Sequence, residues 1–213
     1  YNPAKCVNCD TCIRGCPNGS SPKTADMTAD EVWQAVQKQI PFIRGITVSG
    51  GECTLYPEFL TELFTLAQAH GLSTLIDSNG TLDFEHYPGL LPVTDGVMLD
   101  INAFDCEEHK RITGRDNRII LKNARFLASK GKLYEVRTVV SPGLFDAEHT
   151  IIQIAGMLRP YLSIHPIRYK LISYRPMGVR TQYVNTLQTP TSDQMDYYAQ
   201  LLMAEGFKDI IVT

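Results

Sequence analysis

Four of the six cysteines are crowded near one end of the chain, as Cys6, Cys9, Cys12 and Cys16, in the run C-x-x-C-x-x-C-x-x-x-C-P that closes at Pro17. Thiolates two residues apart on a tight loop can take neighbouring corners of an iron–sulfur cubane, and iron favours such soft ligands. Structural zinc and disulfide pairing are the alternatives for the same side chains. Cys53 and Cys106 stand alone, fit no cluster spacing and read as inert thiols. A second group of candidates is Gly50-Gly51-Glu52. Two glycines let a ligand approach the backbone closely, and the carboxylate beside them offers a charge-assisted partner to an ammonium group. The plainer reading is a turn with a solvated Glu. Asp77-Ser78-Asn79-Gly80 likewise reads as an Asx-type turn with Gly in the left-handed position, or as part of a site. Asp100 follows Val97, Met98 and Leu99, and an unpaired carboxylate at the end of a buried strand is costly, so it calls for a cation or a donor.

These residues need elements to hold them. Thr28 and Glu31 form a capping-box pattern ahead of Ala29, Val32, Trp33, Val36 and Ile40 at helical spacing. Ile46-Thr47-Val48 reads as a strand, and a helix carries Phe59, Leu60, Leu63, Phe64 and Ala67 up to a capping Gly71. Strands follow at Ser73 to Ile76 and Gly96 to Ile101, then a helix around Ile119, Ala124 and Leu127 that ends at Gly131. A strand near Glu135 to Val140 is followed by a helix that Asp146 can cap, a strand near Arg168 to Ile172, a helix opened by Thr191 and Gln194, and a last edge strand at Asp209 to Val212. Strands alternating with helices predict right-handed βαβ units and a parallel sheet. At roughly 30 residues per unit the chain past the cysteines holds about six, too few for an eight-fold barrel. The predicted fold is α/β, an open partial (β/α)6-type barrel of parallel strands with a small N-terminal Cys-rich segment. In such a barrel the carboxyl ends of the strands converge on one face, so Gly50 to Glu52, Asp77 to Gly80 and Asp100 to Asn102 are aimed at one site.

Composition narrows the function classes. The 213 residues carry 20 Lys and Arg against 23 Asp and Glu, a formal charge of −3, with neither sign gathered into a tail. A nucleic-acid binder carries a basic stripe, and none is present. The apolar runs are far shorter than a bilayer span needs, and recurring apolar residues exclude a disordered chain. The first residue is Tyr1 rather than Met, which leads to the expectation that the chain is a fragment or the ordered part of a longer one.

Taken together, the cysteine run, Ile46-Thr47-Val48-Ser49-Gly50-Gly51-Glu52, Leu75-Ile76-Asp77-Ser78-Asn79-Gly80, Val97-Met98-Leu99-Asp100 and Thr113-Gly114-Arg115-Asp116-Asn117 resemble the glycyl-radical-enzyme activating enzymes. These are radical S-adenosylmethionine proteins related to the pyruvate formate-lyase activating enzyme. The resemblance implies that residues 1–24 are half of a ferredoxin-type iron–sulfur insert and 25–213 a partial radical-SAM barrel lacking its first strand. In two-cluster ferredoxins the first three cysteines serve one cluster and the fourth the other. Cys6, Cys9 and Cys12 would then need a fourth thiolate from elsewhere, and Cys16 would belong to a second cluster.

The same resemblance implies that Gly50, Gly51 and Glu52 receive the amino group of S-adenosylmethionine, and that Ser78 and Asn79 lie along its polar end. Asp77, Ser78, Met98 (through its carbonyl) and Asp100 match positions that surround a monovalent cation beside the cofactor carboxylate. Arg137 matches a basic position associated with docking the glycyl-radical loop, and an ordinary ion pair is its plain alternative. Asn102 stands where the family generally has Lys, and Arg175 where a His is often found. Arg175 can still meet the cofactor carboxylate in a bidentate manner.

The family's reaction needs a [4Fe-4S] cluster held by C-x-x-x-C-x-x-C, a run that does not occur in these residues, so no catalytic residue is expected within the chain. The whole enzyme is expected in the cytoplasm. It would take electrons from a flavodoxin or ferredoxin-type donor and cleave S-adenosylmethionine to a 5′-deoxyadenosyl radical that abstracts hydrogen from a glycine of its partner. Two rivals remain at this level: a ferredoxin-like electron-transfer or binding module fused to a silent barrel, and a barrel lyase or aldolase.

Overall fold

The computed structural model describes residues 2–17, 20–177 and 186–213. Gly19, where the Ser/Pro linker of the sequence begins, and Gly178, next to the Arg175 segment, lie outside them. Six parallel strands lie in sequence order: β1 (Gly45–Val48), β2 (Ser73–Ser78), β3 (Gly96–Asp100), β4 (Leu133–Val140), β5 (Arg168–Ser173) and β6 (Asp209–Val212). β1 and β6 are the two edges, so the barrel is open.

Seven helices are described: α1 (Thr11–Arg14), α2 (Ala29–Gln37), α3 (Pro57–Ala69), α4 (Cys106–Thr113), α5 (Arg118–Ser129), α6 (Ala147–Leu158) and α7 (Ser192–Ala204). Their ends follow local chemistry. The Thr28 hydroxyl accepts from the Glu31 N–H while Glu31 accepts from the Thr28 N–H, the two halves of a capping box that opens α2. Thr191 and Gln194 do the same for α7, and Asp146 caps α6 by accepting from the His149 N–H at 2.9 Å. Pro57 starts α3, where its missing N–H costs nothing, and Gly71 beyond its end takes φ 74°, the left-handed turn that glycine adopts freely.

Helix α4 has no counterpart in the apolar pattern. Its sequence, CEEHKRIT, is too polar to show a helical stripe; it is made by its ends and by side-chain pairs. The Asp105 side chain accepts from the Glu107 and Glu108 N–H groups, both at 2.9 Å, and Gly114 closes it at φ 79°. Asn117, 2% exposed, donates to the Ala103 and Phe104 carbonyls and ties the far end of this excursion to the carboxyl end of β3.

The burial pattern of the strands alternates. Ile76, Val97, Leu99, Val136, Tyr169 and Leu171 are fully buried and share one core with Leu60 and Phe64 of α3, Leu127 of α5, Ile151 of α6 and Leu202 of α7. The intervening residues Asp77, Met98, Asp100, Arg137 and Lys170 are only half-buried. A parallel sheet covered by helices on both faces reads as continuous apolar runs. Here the helices cover the outer face, and the inner face carries charge.

Candidate functional site

The turn after β1 is built of backbone with few commitments. Gly50 sits at φ 144°, a conformation L side chains rarely adopt, and a Cβ added at Gly50 or Gly51 would meet no atom within 4 Å. Close packing of the chain therefore does not explain either glycine. Among the described residues no hydrogen bond is donated to either glycine's carbonyl. Gly80 is the contrast: at φ 75°, its Cβ would stand 2.6 Å from Leu99 Cδ1, so this glycine serves packing and the Asx turn in which Asn79 Oδ1 accepts from the Thr81 N–H.

Glu52 is a clamp. Its carboxylate accepts from Thr54 N–H (3.1 Å), Thr54 Oγ1 (2.5 Å), Ser78 Oγ (3.0 Å) and Asn79 N–H (2.7 Å). Three of these donors fall on Oε1 and one, the Asn79 N–H, on Oε2, which keeps acceptor capacity. The charge remains beside the glycine turn, while the oxygens bind the β1 loop to the β2 loop. Cys53 next to it is 9% exposed and directs its thiol at the carbonyls of Val48 and Asp77. Burial, aided by the charge of Glu52, pushes that thiol up to about 11, which makes it a poor nucleophile at neutral pH.

Asp77, Asp100 and Arg137 meet on the inner face of β2, β3 and β4. The register sets Asp100 directly opposite Arg137 and Asp77 opposite Met98. Arg137 Nε donates to Asp100 Oδ1 at 2.9 Å, and both terminal nitrogens donate to Asp77. Arg137 is thus the cation that Asp100 calls for. Its side chain is 14% exposed, against 28% for Asp77 and 42% for Asp100. Glu135, 5% exposed, lies 3.9 Å from Arg137 and 3.7 Å from Arg168. Desolvation raises the Asp100 carboxyl above the usual carboxylate range; Arg137 opposes this and the charges of Asp77 and Glu52 add to it. Burial lowers the Arg137 guanidinium, but its bonds to Asp77 and its charge partners outweigh burial and raise it.

A cavity of about 980 Å³ opens beside the clamp, bounded by Glu52, Leu55, Asn79, Asn102, Ile119 and the α4–α5 turn. The predicted residues therefore divide. Glu52, Ser78, Asn79 and the glycine turn come together, and Asp77, Met98, Asp100 and Arg137 form the adjoining inner face. Arg175 is exposed and lines a separate cavity of about 390 Å³ with Ser173 and Met195, beyond β5. Cys6, Cys9, Cys12 and Cys16 lie outside both. Among the described residues no three His, Cys, Asp or Glu side chains gather as metal ligands. The Cys9 thiol is lowered by its hydrogen bond from Thr11.

Residues missed by the sequence argument are Glu135, Thr54 and His109. Glu135 could have been found from the period-2 pattern that pairs it with Arg137 on one face; the other two carry no signal beyond their neighbours.

A partial parallel barrel with a glycine turn, a clamped carboxylate and paired charges at its strand ends is an α/β protein of the architecture whose ligand sites lie at the carboxyl ends of the strands. The Radical SAM superfamily model matches residues 5–155. Among relatives, the pyruvate formate-lyase-activating enzyme of Streptococcus mutans is 33% identical, over 78% of this chain and 67% of its own length. The putative glycyl-radical enzyme activating enzyme of Haemophilus influenzae is 31% identical, over 84% of this chain and 76% of its own length. A domain of the pyruvate-formate lyase-activating enzyme from Bacteroides vulgatus superposes with a TM-score of 0.67 at 24% identity, covering 79% of this chain and 98% of that one. Streptococcus suis SuiB bound to S-adenosylmethionine gives 0.68 at 13% identity, over 91% of this chain and 45% of that one, a likeness of fold. The chain belongs to the Radical SAM superfamily, on its glycyl-radical-enzyme activating branch.

Proposed function

We propose that the strand-end face of this chain binds S-adenosylmethionine for the activation of a partner glycyl-radical enzyme. The observation that carries the reading is the glycine turn after β1: its open backbone is not required by packing, and the Glu52 charge stands beside it. The carbonyls of Gly50 and Gly51 would take the ammonium group. Glu52 would supply the negative potential and hold the β1 and β2 loops in register, with Ser78 and Asn79 as its donors. Asp77 and Asp100, held by Arg137, and Met98 would form the adjoining polar wall; a monovalent cation there would compete with the guanidinium for the same carboxylates. Arg175 would reach the cofactor carboxylate only from across the sheet.

An iron–sulfur cluster supplies the electron for reductive cleavage of S-adenosylmethionine in this family. The C-x-x-x-C-x-x-C run that would hold it does not occur in these residues, and the chain's share is to bind, orient and exclude water. Arg137 would assist partner docking by fixing the charges that the partner meets. The electron donor is proposed to be a flavodoxin or ferredoxin, and the setting cytoplasmic; no described helix is long and apolar enough to cross a membrane.

The test uses the encoded protein prepared anaerobically with iron and sulfide, then given S-adenosylmethionine, a reductant and a glycyl-radical enzyme. The expected results are 5′-deoxyadenosine by chromatography and a glycyl radical by EPR. Cluster-loaded protein that produces neither overturns the reading.

A further inference from the structure

Four basic residues stand between Lys110 and Arg118, and three of them are spent. Lys110 pairs with Glu107 at 2.7 Å, Arg111 with Glu108 at 3.4 Å and Arg118 with Asp116 at 2.8 Å. Arg115 is the fourth, and among the described residues no carboxylate meets its guanidinium. An exposed arginine without a partner is ordinary on a surface, but the backbone beneath this one is not. The Arg115 carbonyl oxygen lies 2.9 Å from Nδ1 of His109, which is 1% exposed. A carbonyl only accepts, so the ring donates, and a buried histidine holds the turn. The Arg115 N–H donates to Thr113 Oγ1 at 3.2 Å, Gly114 before it turns at φ 79°, and Asn117 beyond it is tied to the Ala103 and Phe104 carbonyls. A fixed backbone thus presents an uncommitted cation, and that side chain lines the 980 Å³ cavity together with Glu52, Asn79 and Asn102.

The charges around the cavity decide what Arg115 can meet there. The amino-acid end of S-adenosylmethionine is a zwitterion, so a site that takes its ammonium group must also accommodate the carboxylate on the same carbon. Brought near Glu52 without a cation, that carboxylate would be repelled. Asn79 and Asn102 are neutral, and Lys110 already holds Glu107. Arg137 is bound by Asp77 and Asp100 on the inner face, and Arg175 lines a separate cavity. Arg115 is the cation left in the cavity wall, and a guanidinium takes a carboxylate through two parallel N–H bonds.

We propose that Arg115 receives the α-carboxylate of S-adenosylmethionine in this cavity, while the glycine turn and Glu52 take its ammonium group. The inference rests on the activase reading above, and it moves the carboxylate's partner from Arg175 to the α4–α5 turn.

The test is titration calorimetry with two ligands, S-adenosylmethionine and its decarboxylated analogue, which keeps the ammonium, the sulfonium and the nucleoside. The parent should bind S-adenosylmethionine more tightly than the analogue. Arg115→Gln should weaken S-adenosylmethionine about tenfold to a hundredfold, the range for hydrogen bonds to a charged group, and leave the analogue's affinity unchanged, so that the discrimination collapses. Arg115→Lys, which restores charge without the fork, should recover part of the loss. The side chain is exposed and unpaired, so the urea midpoints of both variants should match the parent's. An equal loss for the two ligands would overturn the proposal, because the effect would not depend on the carboxylate. No loss for either, with S-adenosylmethionine still bound by the parent, would overturn it and leave the activase reading standing. A parent that binds neither ligand would overturn both.

Discussion

Replacing Arg137 by Ala removes the cation that three carboxylates on neighbouring strands share. Asp77 loses both donors from the guanidinium terminus, Asp100 loses a bond of 2.9 Å, and Glu135 loses a charge 3.9 Å away. Breaking a buried ion pair from one side costs about 3–5 kcal/mol, because the partner's charge stays behind. Asp100 is 42% exposed and Asp77 28%, so water screens part of this. The expected loss at pH 7 is about 2–4 kcal/mol, read from urea unfolding.

The pH dependence is the sharper test. In the intact chain desolvation already raises the Asp100 carboxyl, with Arg137 pulling against it. Without Arg137 the Asp100 carboxyl rises further. A carboxyl raised in the folded state loses stability as pH climbs from its unfolded value through its folded one. The gap between R137A and the parent is therefore complete at neutral pH and narrows as pH falls toward about 4, where unfolded carboxylates titrate. Arg137→Lys should recover part of the loss, since it restores charge without the bidentate fork. A gap below about 0.5 kcal/mol at pH 7, the size of an ordinary surface substitution, or one that stays constant on acidification, would refute the reasoning.

Three further outcomes are expected. Asn123 is fully buried; it donates to the Gly80 and Leu82 carbonyls and accepts from the Phe84 N–H, so Asn123→Ala should cost about 2–4 kcal/mol in denaturant unfolding by leaving those groups unpaired. Tyr169→Phe should cost only about 1 kcal/mol, because the Thr138 hydroxyl keeps its bond to the Ile101 carbonyl at 3.0 Å. In native protein at pH 8, iodoacetamide should label the exposed, lowered Cys9 well before the buried Cys53, whose thiol is raised to about 11; equal rates by mass spectrometry would contradict that assignment.

The fold was legible because its signals are local and agree with one another. The capping residues Thr28, Asp146 and Thr191 and the stop at Gly71 lie where the helices begin and end. The β-branched runs are the strands, with β2 reaching on through Asp77 and Ser78. Helix α4 was not legible, since caps and pairs rather than an apolar stripe form it. At the site, the residue types pointed to the strand ends, but partners across strands are set by register. Nothing in the spacing says that Arg137 faces Asp77 as well as Asp100, 60 and 37 residues away, or that Glu52 accepts from Ser78 and Asn79.

The central claim is that the backbone of the glycine turn holds the amino-acid end of S-adenosylmethionine, and Gly51 isolates it. Gly51 has no positive-φ requirement, and its added Cβ meets nothing within 4 Å, so Gly51→Ala should change stability by less than about 0.5 kcal/mol. Titration calorimetry of S-adenosylmethionine against the parent and this variant should then show affinity falling about tenfold or more, about 1.4 kcal/mol, because the methyl group occupies the ligand's approach. A folded G51A that binds as tightly as the parent, or a parent that does not bind, would contradict the account.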